Sequence, residues 1–486
     1  MGSETPPLQP IKPRYHLRIL SDGQLDQLTN GTLEILDETG VHCPSEKALK
    51  IYAEHGAQVD FTNQIVHFSP EIIKKAMSTS PRFYTMGGRT PNFDLQLDGE
   101  TMFCSTDGCG IETIDFTTRE RRTSTKDDVA KMARISDYLP SLGFYWPIVS
   151  AQDFGVTAPL HELDAAFNNT VKHIQSETLM GEATARYAVE MASVIAGSEV
   201  SLRLHPPLSL LVCCISPLAQ DKNGLESALY LAQAGLPVGF MSMATTGSTA
   251  PATLAGTAVI ADAEIVSALV LIQMAVPGAA VFHSFLPGIM HPRTGGYLSS
   301  SREGSLFYPI GTELAHRWGV PTLAGIFGTD APVTGWESAS EAATSLMLCA
   351  LTGSETGSGL GLLESCMLLY PESILLDDDL YQRVRVELGG LEVNPETLAL
   401  EVIKEVGPRG YFLKQRHTRQ HLRHRLYSDL TGQLAADGSI RDVAEVAREK
   451  IKWILQNHQP QPLETAQQLE LNHILAAADH QLGGIS

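Results

Sequence analysis

The residues of this chain that could do chemistry are mostly small and hydroxylic. Residues 245–256, TTGSTAPATLAG, gather Thr245, Thr246, Gly247, Ser248 and Thr249 into one short stretch. These side chains can line a cavity and donate hydrogen bonds, but none is a strong acid, base or nucleophile without help. The stretch follows the apolar run 237–243, which reads as a buried strand, and precedes a helical pattern over 254–274. It therefore stands at the carboxyl end of a strand, where barrels and doubly wound sheets carry their chemistry. Its plain structural reading is a strand-to-helix turn, with Thr249 as the N-cap and Pro251 in the first turn. Elsewhere, His283, His291 and Cys214 could approach one centre, but no HxH or HExxH spacing supports a metal, and none is expected. No GxSxG marks a serine nucleophile.

The elements that position these residues follow from the apolar rhythm. Strand-like runs fall at 143–149, 171–175, 208–214, 237–243, 279–285, 321–327 and 355–363, with an eighth near Met102 and Phe103. Helical patterns separate them at 160–169, 184–196, 224–234, 254–274, 302–318 and 338–351. Such alternation argues for parallel βαβ units. No GxGxxG opens a helix after a strand, so the expected fold is α/β, a (β/α)8 TIM barrel. Before it lie three helices, opened by Ser21 with Gln24 as a capping box, by Ser45 and by Ser69-Pro70. They read as a helical cap or an oligomer surface. After about Pro371 the rhythm turns helical. The expected units are 1–100, arm and helical cap; 101–370, barrel; and 371–486, helical extension. Within the last, residues 414–425, KQRHTRQHLRHR, read as a solvated basic surface, or alternatively as a docking patch for an acidic partner.

Composition bounds the function. With 486 residues and a formal charge of −20, the chain can bury a large core and is ill-suited to binding a phosphate backbone. Its seven scattered cysteines form no CxxC and suit a reducing cytoplasm. The apolar stretch 258–277 is interrupted by Asp262, Glu264 and Gln273 and reads as a core helix, so no membrane span is expected.

Several blocks in order carry a family resemblance: LEILDETGVHCPSEKALKIYAEHGAQVD, GRTP, ETIDFTTRERR, the turn 245–256, FLPGIMHPRTGGY and FGTDAPVTGWESASEAA. Over about residues 20–458 the chain is similar to the trimethylamine:corrinoid methyltransferase family. The resemblance implies a (β/α)8 barrel that moves a methyl group from an amine to the cobalt of a separate corrinoid protein. In many members the sixth-strand loop reads TDSK followed by DxQAG, and in methanogen enzymes the lysine position is pyrrolysine. Here Ala331-Pro332 replace Ser-Lys, Pro332 stands at the pyrrolysine-equivalent position, and Gly335-Trp336-Glu337 replace Asp-x-Gln. The scaffold is kept and the site is rebuilt.

A quaternary ammonium substrate suits that rebuilding, because its leaving group is a neutral amine and needs no general acid. The protein then has only to bind, desolvate and align the cation. The expected substrate-binding residues are Trp336, Phe327, Phe282 and Tyr297 as aromatic faces, Asp330 and Glu337 as acids, and His283 as a donor to a betaine carboxylate. Thr245, Thr246, Gly247, Ser248, Gly288 and Arg293 are expected to face the corrinoid partner, and the protein is expected to form a homo-oligomer. Two other classes remain: a non-catalytic quaternary-amine-binding barrel, and a barrel lyase, which would need a strand-end lysine that the expected mouth, residues 105–110, 149–153, 176–177, 216–217, 245–250, 285–297, 328–336 and 364, lacks.

Overall fold

The computed structural model describes residues 4–108, 110–422 and 428–483. Eight strands close a barrel: β1 (Phe103–Thr106), β2 (Leu142–Tyr145), β3 (His173–Ser176), β4 (Leu208–Cys213), β5 (Val238–Ser242), β6 (Val281–Phe285), β7 (Thr322–Gly325) and β8 (Thr356–Leu360). Every neighbouring pair is parallel, and β8 returns to β1 through Thr356–Phe103 and Ser358–Ser105. All eight strands lie on the apolar runs expected from the sequence, including the one beside Met102 and Phe103.

Alternation along each strand sends one set of side chains into the lumen and the other against the helices. In β6, Phe282 packs inside with Leu211, Met241 and Leu323. Its neighbour His283 points outward, where Nε2 donates to Asp262 Oδ1 at 2.9 Å. Phe285 also faces out, pressed on Gly311 of helix Phe307–Trp318. At the amino-terminal end of the barrel a hairpin, Tyr84–Met86 with Leu95–Leu97, inserts Met86, Leu95 and Leu97 beneath Phe103 and Phe144. Each such side chain contributes about 1.5–3 kcal/mol of burial. Among the described residues, the hairpin thus fills the amino-terminal end of the lumen.

Helix Leu254–Ala275 is long and apolar enough to span a membrane by length alone, yet it is buried residue after residue from Ala261 to Met274. The amino-terminal helices explain this. Thr32 donates to Asp262 Oδ2 (2.7 Å), the Tyr52 hydroxyl to the Ser267 carbonyl (2.9 Å) and Thr79 to Gln273 Oε1 (2.9 Å). The helices before the barrel thus cover the flank of this helix. Their starts are those expected: Ser21 and Gln24 form a capping box, Ser45 caps Glu46–Glu54, and Pro70 opens Pro70–Met77. Gly40 ends the first turnback at φ +74, where a Cβ would lie 2.5 Å from the Val66 carbonyl oxygen.

The expected cap at Thr249 is not the one formed. Thr253 caps helix Leu254–Ala275 and accepts from Gly256 N, and Pro251 lies before the helix. Thr249 Oγ1 instead accepts from Thr245 N (2.8 Å) and closes a tighter turn. Beyond the barrel, Ser373–Leu388 lies beside Trp336–Thr352, Val443–Asn457 beside Lys126–Tyr138, and Thr465–Gly483 beside Glu182–Ala196. Of the basic stretch, Arg416–Leu422 is helical, while Arg423 and Arg425 lie outside the described residues.

Candidate active site

The carboxyl ends of five strands bring acids and thiols together at the open mouth. Asp107 follows β1, Glu177 follows β3, Cys213 ends β4, Asp330 follows β7 and Cys366 follows β8. Cys213 Sγ donates to Glu177 Oε1 at 3.4 Å. Cys366 lies within hydrogen-bonding reach of Asp107 and within the field of Asp330 and Glu177. Burial first, and then these carboxylates, push both thiols well above the usual cysteine range. They are neutral thiols near neutral pH and poor nucleophiles.

A strained turn holds Cys366 in place. Glu364, Ser365 and Cys366 have φ of 54°, 53° and 71°. Three successive non-glycine residues in the left-handed region cost about 1–2 kcal/mol each. Several contacts compensate. Glu364 N donates to the Ala331 carbonyl (3.1 Å) and Ser365 N to that of Thr329 (2.9 Å). Arg121 donates to both Glu364 oxygens at 3.0 Å. Asp330 ties the turn to its neighbours: Oδ1 accepts from Ser299 N, Ser299 Oγ and Ser365 Oγ, and Oδ2 accepts from Ser300 N, all within 3.0 Å. Asp330 is thus a strap between three loops as well as a charge at the mouth.

Next to Asp107 lies an aromatic face, that of Trp146. Gly108 is packed flat on the Trp146 indole, so closely that a Cβ there would sit 1.7 Å from Nε1. Deeper, Gln175 and Ser284 stand at lumen positions by the alternation of β3 and β6. Among the described residues, Gln175 Nε2 and Ser284 Oγ are buried polar atoms without a protein partner. Such groups call for water or ligand.

The expected site residues are brought together only in part. Tyr297 lies over the mouth on a small ribbon, Thr245–Thr246 beside Gly288–Met290 beside Tyr297–Leu298, and its hydroxyl donates to the Leu286 carbonyl at 2.7 Å. Gly288 lies under the Tyr297 ring, while Gly247, Ser248 and Arg293 are exposed at the ribbon's tips. Phe282 and His283 do not reach the mouth: the first is in the lower lumen and the second on the helix-facing side, as the strand pleat dictates. Phe327 is buried and, with Trp336, lines a separate cleft of about 590 Å3 between the β7 loop and helix Ser373–Leu388. Trp336 is 89% exposed at the start of helix Trp336–Thr352, with Glu337 exposed beside it. Pro332 is exposed, and its neighbour Ala331 is buried. Of the two acids expected to act with it, Trp336 has Glu337 beside it, while Asp330 is tied to Ser299, Ser300 and Ser365.

Asp107, Glu177, Cys213, Cys366 and Trp146 are the residues without a sequence-assigned role. The signal available for Asp107 and Glu177 was their position directly after strand runs. Among the described residues no three His, Cys, Asp or Glu side chains gather to hold a metal ion.

Fold and mouth together define a (β/α)8-barrel enzyme with its site at the carboxyl ends of the strands. The chain belongs to the trimethylamine methyltransferase (MTTB) family, whose model matches residues 4–483, and it is a methyltransferase of the corrinoid-dependent kind. It is 30% identical over 474 residues to trimethylamine methyltransferase MttB of Desulfitobacterium hafniense (strain DSM 10664 / DCB-2), covering 96% of this chain and 95% of the relative. It is 26% identical over 481 residues to the glycine betaine methyltransferase of Desulfitobacterium hafniense (strain Y51), covering 97% and 99%. The solved Methanosarcina barkeri monomethylamine methyltransferase (MtmB) superposes with a TM-score of 0.48 at 12% identity, covering 95% of this chain and 92% of that one.

Proposed function

We propose that this chain transfers a methyl group from a quaternary ammonium compound, betaine-like in class, to a corrinoid carried by a separate protein. The observation that carries this reading is the gathering of Asp107, Glu177 and Asp330 around Cys366 at the carboxyl ends of the strands, with the Trp146 indole packed on Gly108 next to Asp107. Carboxylates and an aromatic face are what a desolvated quaternary ammonium needs, the aromatic contributing about 0.5–2 kcal/mol. Neither neutral thiol competes as a methyl acceptor.

The rim suits a broad planar ligand. Gly247 and Gly295 are exposed with positive φ, and Gly296 adjoins them, so backbone without side chains can lie close to it. A corrinoid presented here supplies reduced cobalt as the methyl acceptor. Thr245, Thr246, Gly247, Ser248, Gly288 and Arg293 would face it. Asp107 and Glu177 hold the ammonium, Trp146 walls it, and the plugged lumen keeps bulk water from entering from below. When the methyl leaves, nitrogen keeps the bonding electron pair and becomes a neutral tertiary amine. No proton has to be delivered, and the amine loses its attraction to the carboxylates and departs.

Free trimethylamine poses a different problem. Losing a methyl from the neutral tertiary amine would leave an amide anion unless the nitrogen is protonated or otherwise activated. At the pyrrolysine-equivalent position Pro332 offers no donor, nucleophile or electrophile, and Ala331 offers none either. Parallel assays of trimethylamine and a betaine panel with the cognate carrier test the reading. Turnover of at least one quaternary amine with negligible trimethylamine turnover is expected; matching rates for the two would overturn it.

A further inference from the structure

The cleft between the β7 loop and helix Ser373–Leu388 stands apart from the mouth. Its volume of about 590 Å3 falls in the range of small-molecule sites, roughly 300–1,000 Å3. One stripe of the helix faces it. Ser373, Leu376, Asp377 and Leu380 all line the cleft, and their spacing is that of a single helical face. Phe327 of the β7 loop and Trp336 also line it, Trp336 almost wholly exposed.

Two polar groups on the stripe lack partners that burial demands. Ser373 is 3% exposed, and its Oγ is without a protein partner among the described residues. Asp377 Oδ2 accepts from Gly361 N at 2.8 Å, and among the described residues Oδ1 accepts from nothing. Burial raises the Asp377 carboxyl above the usual carboxylate range, and no cation stands close enough to draw it back. Asp379 adds a second carboxylate, and no lysine or arginine lines the cleft.

The chemistry of the occupant follows by elimination. An anion would meet Asp377 and Asp379 with no counter-charge. A wholly apolar molecule would leave the carboxylate and the Ser373 hydroxyl desolvated and unpaired. A bare metal ion needs more ligands than are gathered, since among the described residues no three His, Cys, Asp or Glu side chains meet. A protonated amine meets every condition. Its charge offsets the carboxylates, its N–H can donate to Asp377 Oδ1 or Ser373 Oγ, and its carbon body has Phe327, Leu376 and Leu380 to cover it.

We propose that this cleft is a second small-molecule site, for a protonated amine with an apolar body, held through its N–H by Asp377 and Ser373. The site is independent of the reading of the mouth, although the tertiary amine released there would, once protonated by solvent, be of this class.

Fluorine NMR of the full chain labelled with 5-fluorotryptophan tests this. The chain has 4 tryptophans, and the resonance lost in Trp336→Phe identifies the reporter of the cleft. The probe is N,N-dimethylbenzylamine, protonated at neutral pH. Benzyltrimethylammonium serves as the cation without N–H, and benzyl alcohol as the neutral body. The amine should shift the Trp336 resonance saturably and bind several-fold more tightly than either control. Asp377→Asn, nearly isosteric, should weaken binding roughly tenfold. Ala339→Trp, which fills the cleft from an exposed helical position, should weaken it as much. Both variants should keep the wild-type circular dichroism, and Glu177→Gln at the mouth should leave binding unchanged. A Trp336 resonance unmoved by millimolar amine would overturn the proposal. So would equal binding of either control, undiminished binding in both cleft variants, or a shift abolished by Glu177→Gln.

Discussion

Glu177 and Asp107 have a defined energetic role if the substrate is a cation. They stabilise the bound ammonium, and that stabilisation fades as the nitrogen becomes neutral. Their contribution therefore belongs to binding rather than to the chemical step. Glu177→Gln should raise KM by roughly tenfold, about 1.4 kcal/mol of lost attraction at a partly screened site, and leave kcat unchanged. Steady-state methyl transfer over a range of substrate concentrations checks this, and a fall in kcat at constant KM would assign Glu177 a different role. These acids were legible in the sequence as strand-end residues but not as ligand groups, because a strand end does not state which side chain turns inward. Cys213 and Cys366 were less legible, since a scattered cysteine reads as a small buried apolar residue. Asp377 carries a pH signature of another kind. It lines the cleft beside helix Trp336–Thr352, accepts from Gly361 N at 2.8 Å, and is pushed by desolvation up to about 7. Between the ordinary carboxylate range and that value the unfolded chain has released the proton and the folded chain has kept it. Stability from this group is therefore complete at low pH and is lost as pH rises through 7. Asp377→Asn should narrow the difference in melting temperature between pH 5 and pH 8, and an unchanged difference would show that Asp377 does not set it.

At the scale of elements, one buried network joins the cap to the barrel. Asp262, on helix Leu254–Ala275, accepts from Thr32 of the first helix, from His283 of β6 and from Trp318 Nε1 at 3.0–3.1 Å. All four residues are buried. Asp262→Ala would leave three donors without their acceptor and should cost about 3–5 kcal/mol. Urea unfolding measures it, and a loss under 1 kcal/mol would mean that water or a rearranged side chain replaces the carboxylate. The network also explains why His283 resisted a sequence reading. A histidine in an apolar strand run is equally compatible with the lumen and with the helix-facing side, and only the register of the pleat separates them. The strands themselves were legible because each is a short apolar run between turn residues, repeated at barrel spacing. The cap of helix Leu254–Ala275 was not, since residues 245–253 contain several hydroxyls able to cap. The choice of Thr253 depends on Thr249 being committed to the ribbon turn.

At the scale of the molecule, a lumen plugged below by Met86, Leu95 and Leu97 has consequences for the order of events. With that end filled, small substrate and large carrier must share the carboxyl-terminal mouth. A carrier seated first would close the route to Asp107 and Glu177, so the amine should enter before the carrier docks. On the proposed reading, docking engages the ribbon beside β5 and β6, residues 245–250 and 288–296. Its tips are exposed at Gly247, Ser248 and Arg293. Its backbone hydrogen bonds are short-range and lie at the exposed surface, among them Gly247 N to the Ala250 carbonyl (3.1 Å) and His291 N to the Gly296 carbonyl (2.7 Å). Segments of this kind open locally at low free energy and exchange their amides readily. Adding the corrinoid carrier should therefore slow hydrogen exchange in 245–250 and 288–296, and more strongly when a quaternary amine is already bound. The plug hairpin, Tyr84–Met86 and Leu95–Leu97, should exchange at the same rate throughout and serves as the internal control. Demonstrated carrier binding with unchanged exchange in the ribbon would move the docking face elsewhere on the barrel, and protection at the hairpin would mean that the lumen is entered from below.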